Sequence, residues 1–207
     1  RGLAKKNFRE NTLPAFRYSF KKKYGIETDL QVTKDNQLVC FHDFNLRRKF
    51  KLNKKIREIN YTDLKKISKK KKAEIPLLED LLKISKKHPL LLEIKPLFKK
   101  ENLLRLIKLT KNTKKYGLIS FKEKNLINLY KINKKLPLGL LFLASSSFKD
   151  IKIKSKKKHV KFLVLEKTFL SNKNLYLIKK KIYYYTVKNK SLFKKYRESK
   201  NLIFENL

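Results

Sequence analysis

The amino-acid sequence predicts an α/β protein with a parallel sheet, and three observations support this prediction. Short apolar segments of strand length alternate with stretches of about ten residues whose apolar positions follow helical spacing. Hydrophobic residues make up 41% of the 207 residues and aromatic residues 12%, which is enough to fill a sizeable core. No repeat and no Pro-, Gly- or Ser-rich linker divides the chain. We therefore predict one domain over residues 1–207.

The amino-terminal elements follow from apolar spacing and from turn residues. Leu13, Phe16 and Phe20 recur at three- and four-residue intervals, which predicts a helix over Asn7–Lys23. Gly25 ends this helix. Two strands joined by a Lys-Asp-Asn turn come next, at Ile26–Thr33 and Leu38–His42.

The rest of the chain continues the alternation after one irregular segment. Residues 44–72 are basic and polar, and we predict a short insertion there with a single helix near Tyr61–Ser68. A helix then begins at Pro76 and runs through Ile84. The predicted strands beyond it are Pro89–Ile94, Tyr116–Phe121, Leu136–Leu143, Val160–Leu165, Ile182–Val187 and Leu202–Phe204. The predicted helices are Glu101–Thr110, Lys124–Lys134, Asn172–Lys181 and Ser191–Ser199.

The charge of the chain suggests a nucleic-acid binder, but its distribution argues against one. The 56 Lys and Arg residues against 17 Asp and Glu residues give a net charge of +39, which attracts polyanions. Only eight of the basic residues are Arg, the side chain best suited to forked recognition of phosphate and guanine. The Lys clusters are spread along the whole chain. We therefore predict a solvated surface without a specific nucleic-acid partner, and with a weak, salt-sensitive attraction to anionic membranes.

Cysteine content and the length of apolar runs exclude further classes. The single cysteine, Cys40, excludes an internal disulfide framework and a cysteine-rich zinc site, and we predict it to be a small core residue. The longest apolar run, Leu136–Ala144, is far too short to span a bilayer. With no visible leader, we expect a cytoplasmic protein. Because the chain contains no Met, we also expect residues upstream of Arg1, where a leader could lie.

Charged residues lie at the ends of several apolar strands. Glu27 and Asp29 are two residues apart and so share one face of a strand, while Glu93 and Lys95 end the apolar strand that begins at Pro89. Each pattern alone is common on a solvated face. Three carboxylates that converged on one spot would repel each other unless a cation lay between them, and oxygen ligands favour Mg²⁺ or Ca²⁺. A nearby His42 could then donate or accept a proton.

The order of these motifs resembles that of a known enzyme family. The motifs that carry the resemblance are Arg1-Gly2, Glu10-Asn11-Thr12, Glu27-Thr28-Asp29, Thr33-Lys34-Asp35, His42-Asp43 and Glu93-Ile94-Lys95. Looser matches follow at Ser120-Phe121 and at Tyr185-Thr186-Val187. Together they resemble the glycerophosphodiester phosphodiesterase family, which has a (β/α)₈ barrel of the TIM type. The amino-terminal string through His42 and then Glu93 is specific, whereas the carboxyl-terminal half matches only loosely.

The resemblance implies a role for each matched residue. A divalent cation, Mg²⁺ or Ca²⁺, would be bound by Glu27, Asp29 and Glu93, and His42 would be one of two acid/base histidines. The implied substrate-binding and supporting residues are Arg1 and Lys95 at the phosphate, Phe121 and Tyr185 at the glycerol, and Glu10 behind the site. The implied reaction is hydrolysis of a small-molecule glycerophosphodiester to glycerol 3-phosphate and an alcohol.

Two departures from the family pattern leave alternatives open. The family's first histidine would immediately precede Arg1, and the first barrel strand would carry it. We therefore expect the barrel to lack that strand at its amino terminus. Residues 44–72 are short where relatives carry a cap-like insertion. One alternative is a degenerate, non-catalytic barrel that binds polyanions or membrane surfaces. Another is a related phosphodiesterase acting on lysophospholipid or sphingolipid head groups.

Overall fold

The computed structural model describes residues 1–3, 9–205 and 207, and eight strands lie within these residues. The strands alternate with helices along the chain, which confirms the predicted α/β class. The chain forms two compact units, residues 1–116 and residues 117–207. The prediction of a single domain over residues 1–207 stays a prediction.

The first unit has a short antiparallel hairpin beside a parallel strand pair. Its strands are β1 (Ile26–Val32), β2 (Leu38–Cys40) and β3 (Leu90–Ile94). β1 lies in the middle, antiparallel to β2 and parallel to β3, with Leu30 opposite Cys40 and Asp29 opposite Glu93. The hairpin turn contains Asn36 at a φ of 58°, a left-handed conformation that Asn tolerates well. The helices are α1 (Leu13–Lys21), α2 (Arg47–Phe50), α3 (Tyr61–Lys70), α4 (Leu78–Ser85) and α5 (Lys100–Thr110), with a 3₁₀ helix at Ile56–Glu58.

The segment 44–72 is held in place by apolar side chains that lie among its lysines. Five of its apolar side chains are buried in a cluster with residues of β2 and of the chain before α4, whereas Phe44 and Leu52 are exposed. The members of the cluster are Val39, Phe41, Leu46, Phe50, Ile56, Ile59, Leu64, Ala73 and Ile75. Apolar residues that recur every few positions among the lysines are enough to fix the segment, because each removes a large side chain from water. The helix predicted near Tyr61–Ser68 is present as α3, and α2 and the 3₁₀ helix Ile56–Glu58 are additional short elements that were not predicted.

The second unit is a run of parallel strands. They are β4 (Tyr116–Ser120), β5 (Leu138–Phe142), β6 (Phe162–Glu166), β7 (Ile182–Val187) and β8 (Asn201–Phe204), each paired in parallel with the next. Gly139 of β5 lies against the ring of Phe162, and a Cβ atom there would approach that ring to 2.3 Å. The helices are α6 (Glu123–Ile132), α7 (Phe148–Ser155) and α8 (Lys190–Tyr196), with 3₁₀ helices at Lys167–Ser171 and Lys173–Leu177.

Two predicted helices need correction, and one helix was missed. α1 begins at Leu13, with Thr12 as its N-cap, rather than at Asn7, which lies outside the described residues. The segment 172–181 contains a 3₁₀ turn and not the predicted α-helix. Helix α7 was missed, since Ile151 is its only buried large apolar residue; its N-cap Ser147 accepts a hydrogen bond from the Asp150 amide at 3.0 Å.

Two further sequence expectations concern burial and membranes. Cys40 is fully buried, as predicted, and burial raises the pKa of its thiol to about 12. Within residues 1–3, 9–205 and 207, no helix has both the length and the apolar content needed to cross a bilayer.

Candidate active site

Strands β1 and β3 bring three acidic side chains together. Asp29 and Glu93 are partners across the parallel pair, and Glu27 lies two residues before Asp29, on the same face of β1. One ligand oxygen from each carboxylate lies within 4.8 Å of the other two. Asp29 is 2% exposed and Glu93 is 5% exposed. Period-two spacing predicts that Glu27 and Asp29 share a face, and the family resemblance adds Glu93 to the predicted ligand set.

Ionisation of all three carboxylates is unfavourable because they are buried and close together. Burial, followed by the charge of Asp29, raises the pKa of Glu27 to about 7 and that of Glu93 to about 8. Burial also opposes ionisation of Asp29, but nearby positive charge, chiefly that of Lys95, outweighs it and lowers its pKa. At neutral pH the cluster therefore retains protons that a bound cation would displace.

Two cationic side chains contact the cluster. The Lys95 Nζ donates to Asp29 Oδ1 at 3.0 Å and to Glu93 Oε1 at 2.9 Å. The Arg1 Nε lies 3.4 Å from Asp29 Oδ2, and its Nη1 donates to Glu10 Oε2 at 3.2 Å. Both predicted phosphate-binding residues thus lie beside the predicted metal ligands.

His42 follows β2 and is held by its neighbour. Its Nδ1 lies 2.7 Å from Asp43 Oδ1. Burial opposes ionisation of Asp43, but hydrogen bonds from Arg48 and His42 outweigh it and lower its pKa, so the carboxylate accepts and Nδ1 donates. Gln31 Nε2 donates to the backbone carbonyls of His42 and Asp43 at 3.3 and 3.2 Å and anchors this turn. The arrangement leaves Nε2 of His42 available for proton transfer.

Glu10 lies at the centre of a network that the sequence predicts only in part. Its carboxylate accepts hydrogen bonds from Arg48 Nη2 at 2.8 Å and from Arg1 Nη1, and it pairs with Lys49 Nζ at 2.8 Å. Burial opposes its ionisation, but Lys49 and Arg48 outweigh this effect and hold the pKa of Glu10 well below its usual range.

Arg48 connects this network to the histidine. Its Nε donates to Asp43 Oδ2 at 2.7 Å and its Nη2 donates to Asp43 Oδ1 at 3.1 Å, a forked pair that fixes the carboxylate bound to His42. Neither Arg48 nor Lys49 was predicted, because nothing in the sequence distinguishes them among 56 basic residues. Only their position one turn after the His-Asp pair could have suggested a role.

The buried side-chain amide of Asn11 contacts Asp29 and the neighbouring Thr28. Asn11 Nδ2 approaches Asp29 Oδ2 at 3.5 Å, and Asn11 Oδ1 accepts from the Thr28 hydroxyl at 2.9 Å. Asn11 has a positive φ of 55°, a left-handed conformation that Asn tolerates well. Asn11 belongs to the matched motif, but the resemblance assigned it no role in the site.

An open cleft adjoins His42 and Lys95 in the first unit. Its volume is about 630 Å³, within the range of small-molecule sites. The side chains that line it are His42, Asp43, Phe44, Asn45, Arg47, Arg48, Lys51 and Lys95.

The two aromatic residues predicted to bind glycerol lie in the second unit. Phe121 and Tyr185 contact each other edge to face, with ring centroids 6.0 Å apart and an interplanar angle of 79°. The Tyr185 hydroxyl donates to the Phe142 carbonyl at 2.8 Å. Their role in substrate binding stays a prediction.

The donor set of the acidic cluster suits a hard divalent cation. All three ligands are carboxylates, and their mutual repulsion is what such a cation relieves. Buried carboxylates, an oriented imidazole and flanking cations, on an α/β scaffold, form the kind of site found in hydrolases of phosphate esters.

Comparison with known proteins gives the family. The chain belongs to the glycerophosphoryl diester phosphodiesterase family, whose pattern matches residues 1–201. A glycerophosphodiester phosphodiesterase from Bacillus altitudinis is 33% identical to it over 88 residues, which cover 39% of this chain and 36% of that protein. The aligned part thus spans about a third of the length of this curated relative.

Solved structures show the same fold. A glycerophosphodiester phosphodiesterase from Thermotoga maritima is similar with a TM-score of 0.80 and 20% identity, covering 96% of this chain and 88% of that one. A phosphodiesterase from Oleispira antarctica, in complex with the product sn-glycerol-3-phosphate, gives a TM-score of 0.81 and 20% identity over the same shares of the two chains. The barrel fold expected from the family resemblance is confirmed by these likenesses.

Proposed function

We propose that the protein hydrolyses glycerophosphodiesters to glycerol 3-phosphate and an alcohol in a reaction that depends on a divalent cation and on His42. The observation that carries this proposal is the convergence of Glu27, Asp29 and Glu93 beside Lys95. Family membership supports it, as does the glycerol 3-phosphate bound to the O. antarctica relative.

Each side chain has a distinct task in the proposed reaction. Glu27, Asp29 and Glu93 hold the cation, Mg²⁺ or Ca²⁺, which when bound supplies positive charge to the phosphate oxygens. Lys95 and Arg1 add fixed positive charge for the negative charge that grows in the transition state. Both side chains already contact the carboxylates of the proposed metal site.

His42 moves the proton in this proposal. Its Nδ1 is held by Asp43, so Nε2 is the nitrogen that exchanges a proton with the attacking or the departing oxygen. Arg48 is a positioning residue, since it acts on the histidine only through Asp43.

The cation and the carboxylates are tested together. Release of glycerol 3-phosphate from glycerophosphocholine is measured with Mg²⁺, with Ca²⁺ and after chelation. Glu93→Gln and Asp29→Asn should abolish the metal-dependent rate, whereas Glu58→Gln, on an exposed 3₁₀ helix outside the site, should retain it. A full metal-dependent rate in Glu93→Gln would refute the proposed metal site.

The histidine is tested separately. His42→Asn should lower kcat by about 10²–10⁴-fold, the usual contribution of a general acid or base. A pH profile should accompany this measurement, because loss of the proton carrier changes its shape as well as its height. An unchanged kcat in His42→Asn would remove the residue from the mechanism.

A second candidate function is binding of polyanions or membrane surfaces without turnover, which the net charge of +39 favours. It predicts steep salt dependence of binding with no requirement for a divalent cation, and Glu93→Gln would leave that binding intact. Hydrolysis of lysophospholipid or sphingolipid head groups is the third alternative, and profiling of head groups separates it from the first. A cytoplasmic location stays a prediction.

A further inference from the structure

The cleft beside His42 is lined by positive charge. Arg47, Arg48, Lys51 and Lys95 all contribute to its wall. Asp43 is the only acidic side chain among the lining residues, and it is already bonded to Arg48 and His42. The cleft therefore offers surplus positive charge to whatever occupies it.

Arg47 and Lys51 differ from the other two cations of the cleft in their ion pairing. Within the described part of the chain, no carboxylate lies within ion-pair distance of the Arg47 or Lys51 side chain, whereas Arg48 pairs with Asp43 and Lys95 pairs with the acidic cluster. Arg47 is the first residue of the four-residue helix α2 and Lys51 is its C-cap, and both are exposed. They can bind an incoming anion without first breaking an ion pair, which keeps the cost of binding low.

The same lining disfavours a cationic group. A quaternary ammonium is usually held by an aromatic cage or by a carboxylate, and Phe44 is the only phenylalanine, tyrosine or tryptophan in this wall. With four cations around it, such a group would be repelled. The chemistry of the cleft thus separates anionic from cationic alcohols.

We propose that the preferred substrate is a glycerophosphodiester whose alcohol carries a second phosphate, which Arg47 and Lys51 bind in the cleft. This inference rests on the proposed hydrolysis and adds its substrate class. The volume of about 630 Å³ accommodates a polyol with one more phosphate. The reaction is unchanged: water cleaves the same P–O bond, and the second phosphate stays on the departing alcohol.

The test compares two substrates on the unmodified protein. We would measure kcat/KM for glycerophosphoglycerophosphoglycerol, whose alcohol carries a second phosphate, and for glycerophosphocholine, at low and at high salt. The proposal expects at least about a tenfold preference for the first substrate, which is what one charge-assisted hydrogen bond contributes. Equal values, or a preference for glycerophosphocholine, would overturn the inference and leave the hydrolytic function standing. Turnover of neither substrate with Mg²⁺ or Ca²⁺ would overturn both.

Variants locate the preference in the cleft. Arg47→Gln combined with Lys51→Gln should reduce kcat/KM for the doubly charged substrate about tenfold to a hundredfold more than for glycerophosphocholine. The matched control, Lys69→Gln with Lys70→Gln on exposed positions of α3, removes the same charge without touching the cleft. An equal effect of both double variants would assign the preference to overall charge and refute the proposed site.

Discussion

The acidic cluster predicts how metal affinity depends on pH. With the pKa of Glu27 at about 7 and that of Glu93 at about 8, both side chains are largely protonated at pH 6 and largely or half ionised at pH 8. A cation binds only the ionised carboxylates, so the association constant for Mg²⁺ or Ca²⁺ should rise roughly 500-fold between these two pH values. About two protons should be released per ion at pH 6 and about half a proton at pH 8.

Calorimetric titration measures both quantities. Titration with Ca²⁺ or Mg²⁺ in two buffers of different ionisation heat gives the affinity and the number of protons released. Glu93→Gln removes one of the two titrating groups, so its affinity should be weaker and its pH dependence should fall to about one proton. Glu58→Gln, which lies outside the cluster, should behave like the unmodified protein.

The raised pKa values also predict how the free energy of unfolding depends on pH. In the folded, metal-free protein the pKa values of Glu27 and Glu93 lie above those of the unfolded chain. The folded state therefore holds more protons, and its stability should fall as the pH rises from about 4.5 through 8. Saturating cation should reverse this trend. An affinity that is constant from pH 6 to pH 8, with no proton release, would show that the carboxylates are not the ligands.

Three further predictions concern the scaffold and are read from urea unfolding. Leu92→Ala removes a fully buried side chain of β3 and should cost about 2–5 kcal/mol, whereas the exposed Leu104→Ala should change stability by less than about 0.5 kcal/mol; equal effects would contradict the packing described. Gly139→Ala should cost about 1–3 kcal/mol by collision with Phe162, and Phe162→Leu should relieve part of that cost, so strict additivity would refute the contact. Ser147→Ala should cost about 1 kcal/mol through loss of the α7 cap, and no change would mean that the cap contributes nothing.

The parts of the site that could be predicted are those fixed by strand periodicity. Glu27 and Asp29 share a face because side chains alternate along a strand, and Glu93 joins them because the ends of parallel strands lie at one edge of a sheet. The register of β1 with β3 then places Asp29 opposite Glu93. Local rules and one strand pairing were sufficient for this part of the site.

The parts that could not be predicted depend on contacts between distant segments. Arg48 reaches Glu10, 38 positions away in the sequence, and no local pattern marks that pair. The ordered fold of residues 44–72 depends on apolar anchors that meet β2 only in three dimensions. Helix α7 has one deeply buried large side chain, too few to give a clear amphipathic period.

The buried thiol of Cys40 on β2 can report local opening of the first unit. Cys40 is the only cysteine of the chain, is fully enclosed and has a pKa of about 12, so a thiol-directed dye can react only after this part of the first unit has opened. The labelling rate, divided by that of the unfolded chain, gives the free energy of that opening. Added Mg²⁺ or Ca²⁺ should lower the rate at which Cys40 is labelled. The proposed ligands Glu27 and Asp29 lie on β1, which pairs with β2, so a bound cation should stabilise this part of the sheet. Mass spectra recorded during labelling would thus report cation binding to the unmodified protein, and no substrate is needed.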